Sequence, residues 1–425
     1  MQPRISTSDY GCATENLRNA AYEIHESLPH LHSAHMDGLM LAHAFSMTAP
    51  TSARADGLLG GRRQAVDFVR CSYLGLHNHP LVVAGAIELM QAQRSLDWSC
   101  DRTRVEFNFL GELEETLSEI FCARVLAFSS GMLANLGAMP ILASGGLTSG
   151  RKPVVVFDRS AHMSLAYHKP VIADETRVET IMHNDMDALE RLCREHPVVA
   201  YVCNGVYPSG GSAPIKELCQ LQERYGLFLY IDDSHGISTL GVHGEGFARS
   251  RFPQALSERT VIAASLAKGF GASGGILMLG TAEQESLFRR NSIPHAFSAA
   301  PNLAAIGATL GSCRIHRSEE LGQLQRRLAQ RVDLFDRRLA TAQHGNSLPI
   351  RVIAVGSAAS AVAIARGLLD DGFCTSMTLL PTLSQGKTGI RVCITAQHEL
   401  RDIERLCECI LKEVTEKTGK PYPLR

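Results

Sequence analysis

The sequence predicts an α/β protein, in which a mainly parallel sheet forms a large domain and a smaller α+β domain follows it. Between residues 110 and 310, short apolar runs typical of buried strands alternate with amphipathic stretches typical of helices. Polar side chains follow several of these runs directly, at the sheet edge where open α/β proteins bind ligands. The 425 residues, 45% hydrophobic and 20% charged, are enough for two or three domains of ordinary composition.

We divide the chain into an N-terminal helical arm and linker (1–64), the large domain (65–310) and a C-terminal small domain (311–425). Strands are predicted at residues 65–69, 124–128, 153–157, 198–202, 227–231 and 260–264, and in the small domain at 350–355 and 388–395. Helices are predicted from residue 80 and over 133–142, 215–225, 303–342 and 398–417. Asp187 with Glu190 three residues later has the capping-box pattern of a helix start.

The charge and cysteine content narrow the class of protein. A net charge of −1 gives no reason to expect a nucleic acid or an anionic membrane as partner. The twelve cysteines include no C-x-x-C pair, so we expect reduced thiols in a cytoplasmic protein and no metal site. We expect neither a signal peptide nor a membrane-spanning segment.

Lys268 is the residue around which the predicted site is organised. It follows the apolar run at 261–264, so it lies where a buried strand ends, and the run at 227–231 leads directly into Asp232 and His235. Alone, a lysine in a glycine-rich loop is usually a solvated surface residue, and the acidic sequence at 232–234 could cap a helix. Together these groups indicate Schiff-base chemistry that needs an electron sink.

A phosphate-binding corner is predicted beside this lysine. Ser130, Gly131 and Met132 follow a strand and begin a helix, whose free backbone N–H groups suit an anion. Ser265 lies three residues before Lys268 and could donate its hydroxyl group to the same phosphate.

Two further groups complete the chemistry. His162 supplies an aromatic ring at the same edge of the sheet, and Arg391 supplies a planar guanidinium group that suits a carboxylate. These are the groups that pyridoxal 5'-phosphate (PLP) requires: a phosphate-binding site, a lysine that reacts with its aldehyde, a carboxylate for its pyridinium nitrogen and an aromatic ring that stacks on it. The sequence therefore predicts PLP as the cofactor.

The chain resembles the α-oxoamine synthases, a family of fold-type-I PLP-dependent transferases, over most of its length from residue 73 onward. The resemblance rests on the motifs Tyr73-Leu74-Gly75-Leu76, Ser130-Gly131, Ala161-His162-Met163-Ser164, His183-Asn184-Asp185-Met186-Asp187, Asp232-Asp233-Ser234-His235-Gly236, Ser265-Leu266-Ala267-Lys268, and Arg391 before Ala396-Gln397-His398. The motif sequences are most similar to those of 8-amino-7-oxononanoate synthase and of the cholera-type autoinducer synthase branch. That branch takes S-adenosylmethionine together with an acyl-CoA.

The resemblance implies a role for each matched residue. Lys268 would hold the cofactor as an internal aldimine and move protons, while Asp232 would pair with the pyridine nitrogen. His235 would contact the ring hydroxyl, and His162 would stack on the ring. The resemblance also implies a homodimer with active sites at the interface. The phosphate is assigned to Ser130, Gly131, Met132, Ser265 and, from the neighbouring subunit, Ser298; the substrate is assigned to Arg391, Tyr73 and Asn204.

The reaction implied is carbon–carbon bond formation on an amino acid through a quinonoid carbanion, by condensation with an acyl-CoA. Asn204 replaces the usual acid of the family, Pro208 its usual serine and Ala299 its interface threonine, and residues 100–110 replace a glycine-rich stretch. These departures leave the second substrate open. In one alternative, S-adenosylmethionine loses methylthioadenosine and joins a non-thioester acceptor such as NAD. In another, the protein is a non-catalytic subunit of the same family.

Other polar residues have simpler explanations. Structural roles are favoured for the His183-Asn184-Asp185 motif, and no catalytic role is expected for Asp233. Arg102 and Arg104 either bind a polyanionic cosubstrate or lie on a solvated face.

Overall fold

The computed structural model describes residues 46–47, 54–56, 64–98, 100–252, 255–378 and 388–423. Most of the predicted N-terminal helical arm and linker (1–64) lies outside the described residues, and the parts of it that are described belong to strands. The strands are β1 (Ser46–Met47), β2 (Arg54–Asp56), β3 (Gln64–Asp67), β4 (Arg124–Phe128), β5 (Val154–Asp158), β6 (Val178–Ile181), β7 (Val199–Asn204), β8 (Phe228–Asp232), β9 (Thr260–Ser265), β10 (Gly275–Leu279), β11 (Ile350–Gly356), β12 (Phe373–Cys374), β13 (Ser376–Thr378) and β14 (Thr388–Cys393).

The α-helices lie mostly between these strands. They are α1 (Pro80–Gln93), α2 (Asn108–Phe121), α3 (Gly131–Ala143), α4 (Met163–Ala166), α5 (Lys169–Glu175), α6 (Met186–Glu195), α7 (Ile215–Tyr225), α8 (Ala282–Asn291), α9 (Ile293–Phe297), α10 (Leu303–His316), α11 (Glu319–Arg338), α12 (Ala358–Asp370) and α13 (Leu400–Thr418). Among the described residues, no helix is both long and apolar enough to cross a membrane.

A seven-stranded sheet in the order β4-β10-β9-β8-β7-β5-β6 forms the centre of the large domain. The pairs β9–β8, β8–β7, β7–β5 and β5–β6 are parallel, while β10 runs antiparallel to both of its neighbours. The predicted mainly parallel sheet is therefore confirmed, but β6 and β10 were not predicted. Since β10 reverses direction between β9 and β4, the carboxyl ends of β4, β5, β7, β8 and β9 all lie at one edge.

Both faces of this sheet are buried. In β8, Phe228 and Tyr230 belong to one hydrophobic core, and Leu229 and Ile231 belong to the other. This alternation explains why the central strands are continuous apolar runs in the sequence, because successive side chains point to opposite faces and both faces need apolar residues.

The small domain is built on the antiparallel sheet β11-β14-β13, against which α12 packs, with α13 packed on α12. Strand β3 pairs with β12 in a parallel arrangement, so the chain segment before the large sheet lies beside the C-terminal part of the protein. This contact brings residues near 70 close to β14, because the N–H of Cys393 donates a hydrogen bond to the carbonyl of Phe68 at 2.8 Å.

Two helix predictions need correction. The single helix predicted over 303–342 is wrong: α10 ends at His316, and α11 begins after Ser318, whose hydroxyl accepts a hydrogen bond from the N–H of Glu320. The helix start at 186 is capped by Asp185 and not by Asp187, because the Asp185 carboxylate accepts from the N–H of Ala188 at 2.9 Å. Asp187 lies inside the first turn.

Candidate active site

A cavity of about 420 Å³ lies at the carboxyl edge of the large sheet. It is lined by Ser130, Gly131, Met132, His162, Met163, Ser164, Tyr167, Asn204, Asp232, Ser234, His235, Ser265 and Lys268. The structure thus brings together nearly all of the site residues expected from the sequence, and it places three of them, Tyr73, Arg391 and Ser298, outside this lining.

Lys268 follows β9 in the glycine-rich turn that leads into β10. The turn is fixed by backbone hydrogen bonds, from the N–H of Gly271 to the carbonyl of Lys268 and from the N–H of Leu266 to the carbonyl of Gly274, both at 3.0 Å. Burial lowers the pKa of the Lys268 amine, although the Asp232 carboxylate opposes this shift. A lysine with a lowered pKa has more of the neutral amine that attacks an aldehyde carbon.

Asp232 is the buried carboxylate at the end of β8, only 4% exposed. Its two oxygens accept hydrogen bonds from the N–H of Ser234 and from Asn135 Nδ2, each at 3.0 Å. Burial alone would raise the pKa of this carboxyl group, but the Lys268 ammonium group and the two hydrogen bonds outweigh burial and hold the pKa below its ordinary value. Asp232 therefore stays negatively charged, as the partner of a pyridinium nitrogen must.

Asn135 was not predicted as a site residue. Its Nδ2 also donates to Ser164 Oγ at 2.9 Å, and its Oδ1 accepts from the Tyr230 hydroxyl at 2.8 Å, so its orientation relative to Asp232 is fixed. The only signal in the sequence is a single amide within an otherwise apolar helix, one turn after Gly131.

His162 is held by Asn204 and Ser164. Its backbone N–H donates to Asn204 Oδ1 at 2.8 Å, and its Nδ1 lies 2.8 Å from Ser164 Oγ. Burial lowers the pKa of this imidazole. The amide that replaces the usual acid, Asn204, thus holds the backbone of the predicted stacking residue and lines the cavity.

His235 is held by Tyr73, whose hydroxyl lies 2.6 Å from His235 Nδ1. Tyr73 is fully buried and lies outside the cavity lining. Burial, followed by the charge of Lys268, lowers the pKa of His235 to about 4. His235 is therefore neutral near pH 7.

The predicted phosphate corner has the close backbone packing that an anion site needs. Ser130 caps α3 by accepting from the N–H of Leu133 at 3.2 Å, and the first N–H groups of a helix have no intrahelical partner. Gly275 lets β10 approach, since a Cβ there would overlap the backbone of Ser130 and Gly131. Ser265 lies beside Gly131, where an added Cβ would be 3.2 Å from that of Ser265.

Arg391 and Ser298 are the predicted site residues outside the cavity lining that have not yet been described. Arg391 is on β14, where its Nη2 donates to Cys71 Sγ at 3.3 Å and its buried Nε has no hydrogen-bond partner among the described residues. Ser298 follows the exposed Phe297, and its hydroxyl contacts only the next carbonyl, that of Ala299, among the described residues.

These residues fit PLP. The cavity offers a lysine amine whose pKa is lowered by burial, a buried carboxylate that stays ionised, an imidazole ring and a helix N-terminus packed against glycine. No group of three or more histidine, cysteine, aspartate or glutamate side chains suited to a metal occurs in the part of the chain that the structure describes.

The residues outside the predicted site have structural partners. Arg102 is buried and its Nη2 lies 2.7 Å from the Glu114 carboxylate, so the predicted choice between a polyanion site and a solvated face is wrong for this residue. Arg104 is largely exposed and pairs with Asp101.

His183 bonds to the buried carboxylate of Asp158. Burial raises the pKa of Asp233 to about 8.

A larger groove of about 1030 Å³ runs along α7, the segment 247–252 and the loop 345–348. It contains neither a lysine paired with a buried carboxylate nor a histidine, so the chemistry described above belongs to the smaller cavity.

Comparison with known proteins identifies the family. The sequence model of the family described as aminotransferase class I and II matches residues 110–410. The chain is 32% identical over 381 residues to the 8-amino-7-oxononanoate synthase of Alcanivorax borkumensis, which covers 85% of this chain and 91% of that protein.

Two solved structures share the fold. Serine palmitoyltransferase from S. paucimobilis with a bound PLP–myriocin aldimine superposes with a TM-score of 0.78 at 19% identity, covering 95% of this chain and 100% of that chain. The 8-amino-7-oxononanoate synthase of Francisella tularensis has a TM-score of 0.69 at 18% identity, covering 83% and 98%. The predicted fold-type-I architecture is confirmed, and the chain belongs to the aminotransferase class I and II family as an α-oxoamine synthase, a PLP-dependent transferase.

Proposed function

We propose that the protein joins the Cα of an amino acid to the acyl carbon of an acyl-CoA. The observation that carries this proposal is the arrangement of Lys268 and Asp232 in one cavity, with opposite charges that each shift the pKa of the other. The names of the relatives support the condensation, since they are 8-amino-7-oxononanoate synthases and serine palmitoyltransferases.

PLP, when bound, supplies an aldehyde carbon and a ring that accepts electrons from the Cα of the substrate. Asp232 keeps its negative charge beside that ring, and Asn135 holds the carboxylate in place. The neutral amine of Lys268 removes the proton from Cα of the amino acid. The buried Nε of Arg391 has no hydrogen-bond partner in the described part of the chain, and the guanidinium group is the one we assign to the substrate carboxylate.

The exchange of bonds is then that of an acyl transfer to carbon. A bond forms between Cα and the thioester carbonyl carbon, the carbon–sulfur bond breaks, and CoA leaves as a thiol. His162 lines the same cavity and burial lowers its pKa, so it adds no positive charge there at neutral pH.

A second candidate keeps the cofactor and changes the acceptor. In it, S-adenosylmethionine is the amino substrate, methylthioadenosine leaves from Cγ, and a non-thioester electrophile such as NAD is the acceptor. Two residues that depart from the family pattern favour it. Asn204 accepts a hydrogen bond from the backbone of His162, and Arg102, in the altered 100–110 segment, forms an ion pair with Glu114 and so is not available to bind a polyanionic cosubstrate.

Product analysis separates the two candidates. The purified protein with PLP is given a panel of acyl-CoAs with glycine, alanine, serine or S-adenosylmethionine, and free thiol and methylthioadenosine are measured. Thiol release that depends on one amino acid supports the condensation and identifies the donor. Methylthioadenosine released only when NAD is present, without thiol, supports the second candidate. Neither product with any combination would refute both.

A further inference from the structure

Two cysteines lie beside the guanidinium group of Arg391. Cys71 Sγ accepts a hydrogen bond from Arg391 Nη2 at 3.3 Å. Cys393 is two residues after Arg391 on β14, so the two side chains point to the same face of that strand. Cys71, Arg391 and Cys393 therefore share one side of the small-domain sheet, although 320 positions separate the first two in the sequence.

The backbone places the two cysteines on neighbouring segments. The N–H of Cys393 donates to the carbonyl of Phe68 at 2.8 Å, which sets β14 alongside the segment that contains Cys71. Interaction between the side chains of Cys71 and Cys393 shifts the pKa of both thiols, and His235 also acts on the pKa of Cys71. Cys71 is partly exposed and Cys393 is fully buried.

The surroundings of Cys71 and Cys393 shift the pKa values of the two thiols in opposite directions. The hydrogen bond with Cys393 lowers the pKa of the Cys71 thiol most, contacts with His235 and Arg391 lower it further, and burial only partly opposes them. The hydrogen bond with Cys71 and burial raise the pKa of Cys393. The pKa of Cys71 is thus lowered and that of Cys393 raised, so Cys71 is the more acidic thiol of the pair. By contrast, burial raises the pKa of Cys193, Cys313 and Cys407, which keeps those thiols protonated and inert.

We propose that Cys71 and Cys393 form a reversible disulfide when the protein meets hydrogen peroxide. The Cys71 thiolate attacks one peroxide oxygen, a sulfur–oxygen bond forms, the oxygen–oxygen bond breaks, and the departing hydroxide takes a proton to become water. The Cys393 sulfur then attacks the Cys71 sulfenic acid, the sulfur–sulfur bond forms, and hydroxide leaves with the thiol proton as a second water. Two thiols are oxidised and one peroxide is reduced.

The disulfide would change the substrate side of the site. It converts the sulfur that accepts from Arg391 Nη2 into an uncharged disulfide sulfur, which is a weaker acceptor, and it joins the segment around Cys71 to β14. The guanidinium group is then oriented less firmly, so binding of the substrate carboxylate weakens. This consequence, unlike the disulfide itself, rests on the proposed function of Arg391.

The disulfide is tested by peptide mapping of the holoenzyme. The protein is treated with hydrogen peroxide, remaining thiols are blocked with N-ethylmaleimide, and a digest without reductant is analysed by mass spectrometry. We expect a linked peptide pair containing Cys71 and Cys393 that disappears after dithiothreitol. In Cys393→Ser, we expect Cys71 to be trapped as a sulfenic acid by dimedone. Cys122→Ser, which removes an exposed thiol elsewhere, should leave the linked pair unchanged.

The outcomes separate the two parts of the proposal. Alkylation of both cysteines after peroxide treatment, or oxidation of Cys71 to sulfinic acid without the linked pair, would overturn the disulfide. Binding of the amino acid substrate, followed by the visible spectrum of the bound cofactor, should weaken about tenfold or more in the oxidised wild type and recover with dithiothreitol. A linked pair with unchanged binding would refute the effect on Arg391 and leave the disulfide in place.

Discussion

Lys268 is the residue whose replacement tests the cofactor chemistry most directly. We expect Lys268→Ala to retain no borohydride-fixed PLP adduct by mass spectrometry and to lose turnover by roughly 10²–10⁴-fold, because the amine that bonds the cofactor and moves the Cα proton is gone. Lys152→Ala is the control, since Lys152 is half exposed and pairs only with Glu175 among the described residues. An adduct that persists in Lys268→Ala would move the assignment to another lysine.

Asn135 is a residue whose effect passes through Asp232. The pKa of Asp232 is lowered, so the charged form that supports the ring is present at neutral pH and is lost as the pH falls. Asn135→Ala removes one of the hydrogen bonds that lower this pKa, so the acid limb of the pH–activity profile should move to higher pH. We also expect a loss of about 1–3 kcal/mol in the free energy of unfolding, because buried polar groups lose partners.

Tyr230→Phe is the matched control for this shift. It removes the hydroxyl that donates to Asn135 Oδ1 and keeps the bond from Asn135 to Asp232. The acid limb of its pH–activity profile should lie nearer to that of the wild type than the acid limb of Asn135→Ala does. Equal shifts in the two variants would mean that the general stability of the site, and not the bond to Asp232, sets the profile.

Single residues differ in how far the sequence reveals them. Lys268, Asp232, His162 and the Ser130 helix start belong to local motifs at strand ends, so their positions at one sheet edge follow from the topology. The contact of Cys71 with Arg391 does not follow from that topology, because it depends on how the small domain packs against the segment before the large sheet.

The junction of β10 with the start of α3 is the element that shapes the phosphate corner. A Cβ at Gly275 would overlap backbone atoms of Ser130 and Gly131, which cannot rotate away as a side chain could. We expect Gly275→Ala to lower the free energy of unfolding by about 1–3 kcal/mol and to weaken PLP binding. Urea unfolding of the apoprotein and a PLP titration measure the two effects.

Gly111→Ala provides the comparison for this element. Gly111 lies within α2 with no atom near its added Cβ, and there alanine should raise the free energy of unfolding by about 0.5–1 kcal/mol without changing PLP affinity. If Gly275→Ala binds PLP as tightly as Gly111→Ala does, the close approach of β10 is not part of the phosphate site.

Elements were predictable where both faces of the sheet are buried. The strands β4, β5, β7, β8 and β9 are continuous apolar runs, so their positions agree with the sequence to within one or two residues. β10 was missed because it follows a glycine-rich turn and because an apolar run carries no information on strand direction. The break between α10 and α11 depends on a local cap at Ser318 within a pattern that is helical on both sides.

At the scale of the whole molecule, an apolar surface lies next to the cavity. The helices α4, α5 and α9 pack against α3. The exposed large apolar side chains on these four helices and at the C-terminal end of α4 are Met132, Leu136, Tyr167, Val171, Ile293 and Phe297. Phe297 is 84% exposed and directly precedes Ser298, the residue expected to reach the cofactor phosphate of a neighbouring subunit. We therefore propose that a second copy of the chain covers this surface.

Phe297→Glu tests this homodimer. Placing a charge on a surface that is buried in the assembly should convert the protein to a monomer in light scattering at micromolar concentration, because an unpaired charge at an interface is costly. The monomer should also lose PLP more readily on dialysis, because Ser298 then has no neighbouring site to reach. Val242→Glu, at an equally exposed apolar side chain in a loop, should leave the mass unchanged. A wild-type protein that is itself monomeric with full PLP content would show that each subunit binds its cofactor alone.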